Sequence, residues 1–505
     1  MRFLYSLLFL TGTICYGQEQ KIQKIADDVS IEQLRKNLYY LASDQMEGRA
    51  MGSHGDTMAS VYISDWFKAN NLTAPYQNGT SYFQAVDAFK KNLTHAELKI
   101  GDQVFENWNG WGFAMRSIET VQLENLPVVF AGYGIENSQY NDFADIDVKG
   151  KVVLLLNGQP QDTAGNYILS GTKQPASIAS YQATLKKKGA VLILMYANRF
   201  SADSLQQRRS AFQPAYKNPF NPNTNLPVLN LSEERVNGLL ANSGKTIKGL
   251  VKEITNSRQP KSFAINNTAS CHIQVDIIEE KAPNVIGMIQ GTDTAAGCII
   301  LSAHHDHVGR DGNVIYYGAV DNASGTVAIM EIAALMNKAA QKGLRPKRTI
   351  VFASYTGEER GLLGSYHLAN NPVFPIEKTH AVLNIDMMGR VDTFYSGRRP
   401  DSNYAYILVV DSVNRGLRNA LFSANEKLGK LKLDTYYEQP QFMQRRLLGS
   451  DQYPFYQKGV PFIRIDCGFS KDYHQPTDTP DKINYVLLSD QVKLAFLTTW
   501  NLAND

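Results

Sequence analysis

Residues 298–309 read CIILSAHHDHVG. The run from Cys298 to Ala303 carries no charge, and His304-His305-Asp306-His307 follows it at once. A short apolar run that stops at polar residues reads as a strand buried on both faces. Chemistry-bearing side chains then stand just past its carboxyl end. The same punctuation recurs outward from this stretch. AVDNASG, with Asp321, precedes a helical pattern near 325–340. RTIVFASY leads into TGEERGLLGS with Glu358 and Glu359, and HAVLNI leads into Asp386. VPFIRI leads into Asp466 and a loop with Tyr473-His474. Further helices are expected near 361–370, near 413–428 and from about 488. Apolar strands alternating with helices from residue 284 onward predict an α/β domain of three layers with a mixed central sheet.

In open α/β sheets, ligands bind beyond the carboxyl ends of the strands. Here several such ends deliver His, Asp or Glu. Imidazole nitrogen and carboxylate oxygen suit zinc when thiols are absent. Five donors with one shared carboxylate would hold two ions. The assignment is His304 and Asp386 on one ion, Glu359 and His474 on the other, and Asp321 bridging. Each ion then keeps an open position, as catalytic zinc does. Two Zn²⁺ also offset the charge of Asp321, Glu358, Glu359 and Asp386, which would otherwise repel. Asp306, two residues past His304, is expected to accept the other ring N–H and fix the imidazole. Glu358 adjoins a ligand and is placed to act as general base on a metal-bridged hydroxide's parent water. His305 and His307 lack the spacing of the other donors and read as packing or pocket wall. Arg398-Arg399 and Arg445-Arg446 read as exposed pairs, with contact to a substrate carboxylate as the alternative for either.

The remainder of the chain frames this region. With 505 residues, 43% hydrophobic and 20% charged, the chain has globular composition and room for two to four domains. Lys and Arg number 51 against 48 Asp and Glu, a net charge of +3, with no basic block to favour nucleic acid. MRFLYSLLFLTGTICYG, residues 1–17, reads as a secretory signal peptide, so the protein is expected to be exported to the periplasm or outside the cell. No later apolar run approaches the ~18 residues of a membrane span, so a soluble mature protein without a stable membrane anchor is expected. The cysteines beyond residue 17 are Cys271, Cys298 and Cys467, which allow at most one bridge. Residues 31–43 and 56–70 carry helical apolar spacing around the loop EGRAMGSHGD. Between them and the α/β region, LPVVFAGYG, KGKVVLLLN, GAVLILMYA and LPVLNLS are short strand candidates, with one helical stretch at 181–188. This predicts a mostly-β insertion at 119–272, dividing the α/β domain into 18–118 and 273–505.

AHHDHVG, AVDNASG, TGEERGLLGS, NIDMMGR and YHQPTDTPDKI occur in that order. The set resembles the M28 family of zinc metallopeptidases, the aminopeptidases and the glutamate carboxypeptidase relatives. The inserted unit resembles a protease-associated domain through VVFAGYG, DVKGKVVLL and LKKKGAVLILMY. The resemblance implies a zinc-exopeptidase fold, two Zn²⁺ per chain and a peptide substrate cut at its N-terminal bond. It implies that Glu358 takes the proton of the attacking water and passes it to the leaving amine. Tyr473 matches a tyrosine that hydrogen-bonds the oxyanion in some relatives. Asp451, in GSDQYPF, matches an aspartate near the substrate pocket, and the Asp321–Asn322 peptide is expected to be cis. The same scaffold also serves carboxypeptidases or dipeptidases, which need a cationic pocket for a terminal carboxylate. It further serves glutaminyl cyclase-like acyltransferases with one zinc and receptors that have lost ligands.

Overall fold

The structure is a computed structural model and describes residues 18–106, 109–113, 119–159, 167, 169, 177–196, 215–217, 226–392, 403–429 and 431–505. The signal-peptide segment 1–17 and Arg398-Arg399 lie outside the described residues. The chain forms two compact units: residues 1–88 with 280–505, and the inserted 89–279.

The first unit is built on a mixed sheet. Its central strands Phe462–Asp466, Thr379–Ile385, Cys298–His304 and Thr349–Tyr355 are neighbours in that order and all run parallel. Antiparallel partners flank them: Tyr404–Val410 beside Phe462–Asp466, and residues 285–289 beside Thr349–Tyr355. Lys432–Asp434 adds an outer parallel strand.

Side chains alternate across a strand, and both faces here are covered. Ile299, Leu301 and Ala303 join Ile350, Phe352, Leu383 and Ile463 in one core, where Leu34, Leu38, Ile63, Val327, Leu421 and Phe496 pack from helices. Those helices are Ile31–Leu41, His54–Ala69, Gly325–Gln341, Leu417–Leu428 and Tyr485–Asn504. Cys298 and Ile300 face the other way with Val351, Ala353 and Val382, covered by Leu368 of Leu363–Asn370 and Phe455 of Tyr453–Gln457. Three layers result, with a mixed central sheet, as the alternation in the sequence predicts.

One helix departs from the reading that no later run approaches a membrane span in length. The helical stretch Ala319–Gln341 is long and apolar enough to cross a membrane by composition, but 94% of its apolar window is buried in the fold. It is a core helix.

The inserted unit carries the strands Val121–Phe130, Val152–Leu156, Leu192–Tyr196 and Val228–Leu231, each of which coincides with an apolar run noted in the sequence. Neighbours among them pair in parallel. Trp111–Phe113 pairs antiparallel with Val228–Leu231, and residues 263–273 pair antiparallel with Val121–Phe130. The expected helix occurs at Ile178–Lys187, but Glu233–Leu240 and Ile247–Ser257 are helices as well. Their start signals are ordinary ones: Ser232 and Thr246 each cap with a side-chain oxygen on a backbone N–H. Ile247, Leu250 and Ile254 then form the buried stripe. The unit is therefore less exclusively β than its strand texture suggests. Cys271, Cys298 and Cys467 are all free and buried, so they act as small core residues.

Candidate active site

Parallel pairing sets the site. His304 ends its strand level with Tyr355 on one neighbour, and Ser302 lies level with Asn384 on the other. The residues that follow, Glu358-Glu359 and Asp386, therefore emerge at the same edge of the sheet as His304. Asp321 arrives from the turn before the Gly325–Gln341 helix, and its peptide to Asn322 is cis.

Two donor groups meet there and share one residue. In the first, His304 Nε2 lies 3.4 Å from Asp321 Oδ1 and 3.4 Å from Asp386 Oδ1. In the second, His474 Nε2 lies 2.9 Å from both Asp321 Oδ2 and Glu359 Oε1. His307 belongs to the second group, its Nδ1 3.0 Å from Glu359 Oε1 and 3.8 Å from Asp321 Oδ2. Asp321 thus turns one oxygen to each group. Donors around a tetrahedral ion with bonds of about 2.0–2.1 Å stand about 3.3–3.4 Å apart; the first group shows 3.4 Å, and the second spans 2.9 to 3.8 Å around that value. Glu359 Oε1, His474 Nε2 and both ring nitrogens of His307 are buried and make no hydrogen bond. Such atoms are costly unless something binds them. The residues present therefore fit a divalent cation at each group.

The surroundings aim these donors. Asp386 Oδ2 accepts from Ser450 Oγ at 2.6 Å and from Arg464 at 3.0 Å, which leaves Oδ1 turned toward His304. The backbone N–H groups of Val320 and Asp321 donate to the Asp478 carboxylate at 3.0 and 3.2 Å. The Asn322 side chain ties the turn to the neighbouring strand, donating to the Ile385 carbonyl and accepting from Met387 N–H. Gly325 is required there, because a Cβ would stand 2.3 Å from Asn322 Oδ1 and 2.7 Å from the Ile385 carbonyl oxygen. His474 has φ +54°, a left-handed conformation uncommon for a non-glycine residue.

Charge is balanced closely in this pocket. Burial lowers the proton affinity of the His474 imidazole, but the Asp321 and Glu359 carboxylates outweigh it and lift the group to about 10. Burial raises the Glu359 carboxyl and Asp321 raises it further, yet His307 and His474 bring it down to about 2. The Glu358 carboxyl is pushed well above the usual range by burial; His304 opposes this, and Glu359, Asp451 and Asp386 add to it. A carboxyl with a high proton affinity can hold a proton and return it. Asp451 is fully buried, with both carboxylate oxygens free of hydrogen bonds, and burial raises it to about 7. Tyr473 stacks on the His474 ring at 3.9 Å. Burial and then the carboxylates of Asp321, Glu359, Glu358 and Asp386 push its phenol upward, so it stays a donor.

Asp306 departs from expectation. His304 Nδ1 lies 3.1 Å from the Asp306 main-chain carbonyl and 3.7 Å from its carboxylate. The carboxylate accepts instead from Glu358 N–H at 3.0 Å and Glu359 N–H at 3.3 Å. It orients the two glutamates rather than the imidazole, because the strand end brings their unpaired N–H groups to it.

The packing reading fits His305, whose ring lies 3.0 Å from Ser354 Oγ and 3.2 Å from Ser60 Oγ, but His307 is a metal-type donor by position. Arg446 is buried, its guanidinium 3.6 Å over the Tyr437 ring and 3.6 Å from Asp466, and is not the exposed residue that its sequence neighbourhood suggests.

Arg49 was not singled out by the sequence, yet it is fully buried. It donates to the carbonyls of His305 at 2.7 Å, Tyr317 at 2.9 Å and Gly318 at 2.9 Å, and also to Leu41. The only sequence signal for it is its place in a glycine-bearing loop between two helices. For Arg464 the signal is a charge inside an otherwise apolar strand.

Comparison with known proteins now adds a family. Residues 284–498 match the model of peptidase family M28. Over this stretch the chain is similar to the M28 peptidases. Among curated relatives, the probable glutamate carboxypeptidase VP8 of Zea mays is 30% identical over 205 residues, 39% of this chain and 26% of that protein. Aminopeptidase NAALADL1 of Mus musculus is 38% identical over 106 residues, 21% of this chain and 13% of that protein. The chain thus spans about a quarter or less of these relatives' length. Solved structures match over far more of it. The aminopeptidase from Aneurinibacillus sp. strain AM-1 has a TM-score of 0.58 at 18% identity, covering 96% of each chain. BSAP, a zinc aminopeptidase from Bacillus subtilis, has a TM-score of 0.56 at 18% identity, covering 94% of this chain and 96% of that one. The M28-like domain therefore shares the mixed α/β fold of these aminopeptidases.

Proposed function

We propose that this protein is a zinc exopeptidase that hydrolyses the N-terminal bond of peptides and holds two ions per chain. The observation that carries the reading is the pair of donor groups joined through the two oxygens of Asp321. His304, Asp321 and Asp386 would hold one ion, and Asp321, Glu359 and His474 the other. When bound, zinc supplies Lewis acidity that polarises a carbonyl and lowers the pKa of water.

The chain's own residues do the rest. Glu358 accepts the proton of the attacking water and returns it to the nitrogen of the leaving amine. Asp306 fixes Glu358 through its backbone N–H. The Tyr473 hydroxyl, kept protonated, is a donor for charge that develops on the carbonyl oxygen.

Among the described residues, the pairing of Arg390, Arg446 and Arg464 favours aminopeptidase action over carboxypeptidase action. A terminal carboxylate needs a free cation. Arg390 already pairs with Asp472 at 2.8 Å, Arg464 with Asp386 and Asp466, and Arg446 with Asp466. The buried Asp451 carboxyl, without a hydrogen bond, offers a partner for a free α-ammonium group instead.

Replacing Glu358 by Gln tests the assignment. Turnover of aminoacyl and dipeptide substrates is expected to fall by at least ~10²-fold, with zinc content still near two per chain. Unchanged turnover would remove Glu358 from the reaction. Equal cleavage of N-terminally blocked peptides by the wild-type protein would refute the aminopeptidase reading.

A further inference from the structure

We propose that His307 is a fourth protein donor to the ion held by Asp321, Glu359 and His474, so that the two metal positions are unequal. This rests on the metallopeptidase reading above and deepens it.

Four observations converge on His307. Its side chain is fully buried. Neither ring nitrogen has a hydrogen-bond partner. Its Nδ1 stands 3.0 Å from Glu359 Oε1 and 3.8 Å from Asp321 Oδ2, values that bracket the spacing of about 3.4 Å between donors on one zinc. Its ring meets His474 edge to face, with centroids 5.5 Å apart, so both imidazoles address the same carboxylate oxygens.

The ring is also held from outside. A Cβ on Gly318 would lie 2.4 Å from His307 Cγ, so only glycine leaves room for the ring. The His307 backbone N–H donates to the Arg49 carbonyl at 3.1 Å, and the Arg49 guanidinium donates to the Gly318 carbonyl at 2.9 Å. One buried residue therefore ties down the backbone on both sides of the imidazole.

The consequence is a division of labour. Four protein donors close a zinc site in the manner of structural zinc, whereas three leave a position open. The ion held by His304, Asp321 and Asp386 is then the one with room for a substrate atom. The alternative is that His307 Nδ1–H only donates to Glu359 as an outer partner.

The two arrangements differ in the number of imidazoles on zinc. Full-length protein is stripped of metal, reloaded with zinc against a chromophoric chelator, and measured by X-ray absorption. Wild type is expected to take up two zinc ions carrying three imidazoles between them. His307→Ala is expected to retain two imidazoles per pair and to bind one of the two ions at least ~10-fold more weakly. Two imidazoles per pair in wild type would overturn the proposal, whether or not the variant folds. So would an unchanged count in the variant. Wild type that takes up no zinc would instead bring down the metallopeptidase reading, and this proposal with it. Melting of the metal-stripped proteins checks that the variant keeps its fold.

Discussion

Arg49 shows how much one side chain can hold. It supplies donors to four backbone carbonyls, on Leu41, His305, Tyr317 and Gly318. Burial lowers its guanidinium to about 10, while Asp306, Asp478, Asp321 and Asp56 oppose that shift and keep it charged at neutral pH. Replacing it by Met leaves those carbonyls without a donor and the nearby carboxylates without a counter-charge. Each unsatisfied buried acceptor costs about 1–3 kcal/mol, and partial relaxation should leave a net loss of roughly 3–5 kcal/mol. Urea unfolding of Arg49→Met measures this; a loss below about 1 kcal/mol would mean that the loops hold themselves. The sequence could not point to Arg49, since nothing local distinguishes a buried arginine from a solvated one. The same limit applies to His305 and His307. They are alike in sequence, and only the path of the chain after the strand sends one ring to Ser60 and Ser354 and the other to Glu359.

Among the elements, the turn after the Val121–Phe130 strand concentrates a titration. Asp142 accepts from Tyr133 N–H at 3.1 Å and Ile135 N–H at 3.0 Å, and is almost fully buried. A Cβ on Gly132 would stand 2.2 Å from its Oδ1, so the turn wraps the carboxyl closely. Burial raises this carboxyl from 3.8 to about 6, although the backbone N–H groups pull it back. A raised folded value means that the folded state binds the proton more tightly. The contribution is complete below about pH 4 and is lost as pH rises through 6. The inserted unit should therefore lose on the order of 2–3 kcal/mol across that interval, and Asp142→Asn should flatten the dependence. Chemical denaturation at pH 4 and pH 7, followed by a probe in the 89–279 unit, decides it; identical slopes for both proteins would contradict the assignment.

At the scale of the whole molecule, the proposed metal site would be a stability element as well as a reactive one. Asp321, Glu358, Glu359 and Asp386 converge on one edge of the sheet, so stripping the cations leaves their charges to repel. A ligand that binds only the folded state adds about 4 kcal/mol at a thousand times its Kd. Chelation is therefore expected to lower the melting temperature by roughly 5–10 °C, and added zinc should restore it. Calorimetry with and without chelator measures the shift; coincident curves would mean that no ion is held there.

The sequence by itself determined the four central parallel strands and the helices between them, the residue types at the strand ends and the M28 resemblance. These are legible because apolar period and motif order are local properties of a chain. CIILSA and VPFIRI announce buried strands wherever they sit, and Asp386 follows HAVLNI whatever its neighbours do. Only the tertiary structure decided how Asp321 divides its oxygens, and that Asp306 serves two backbone amides rather than His304. Only it brought His307 and Arg49 in, turned Arg446 inward, and completed two strand-flanked helices in the insertion. Each of these depends on which atoms meet across hundreds of residues, and parallel strand pairing rather than any local preference sets that distance.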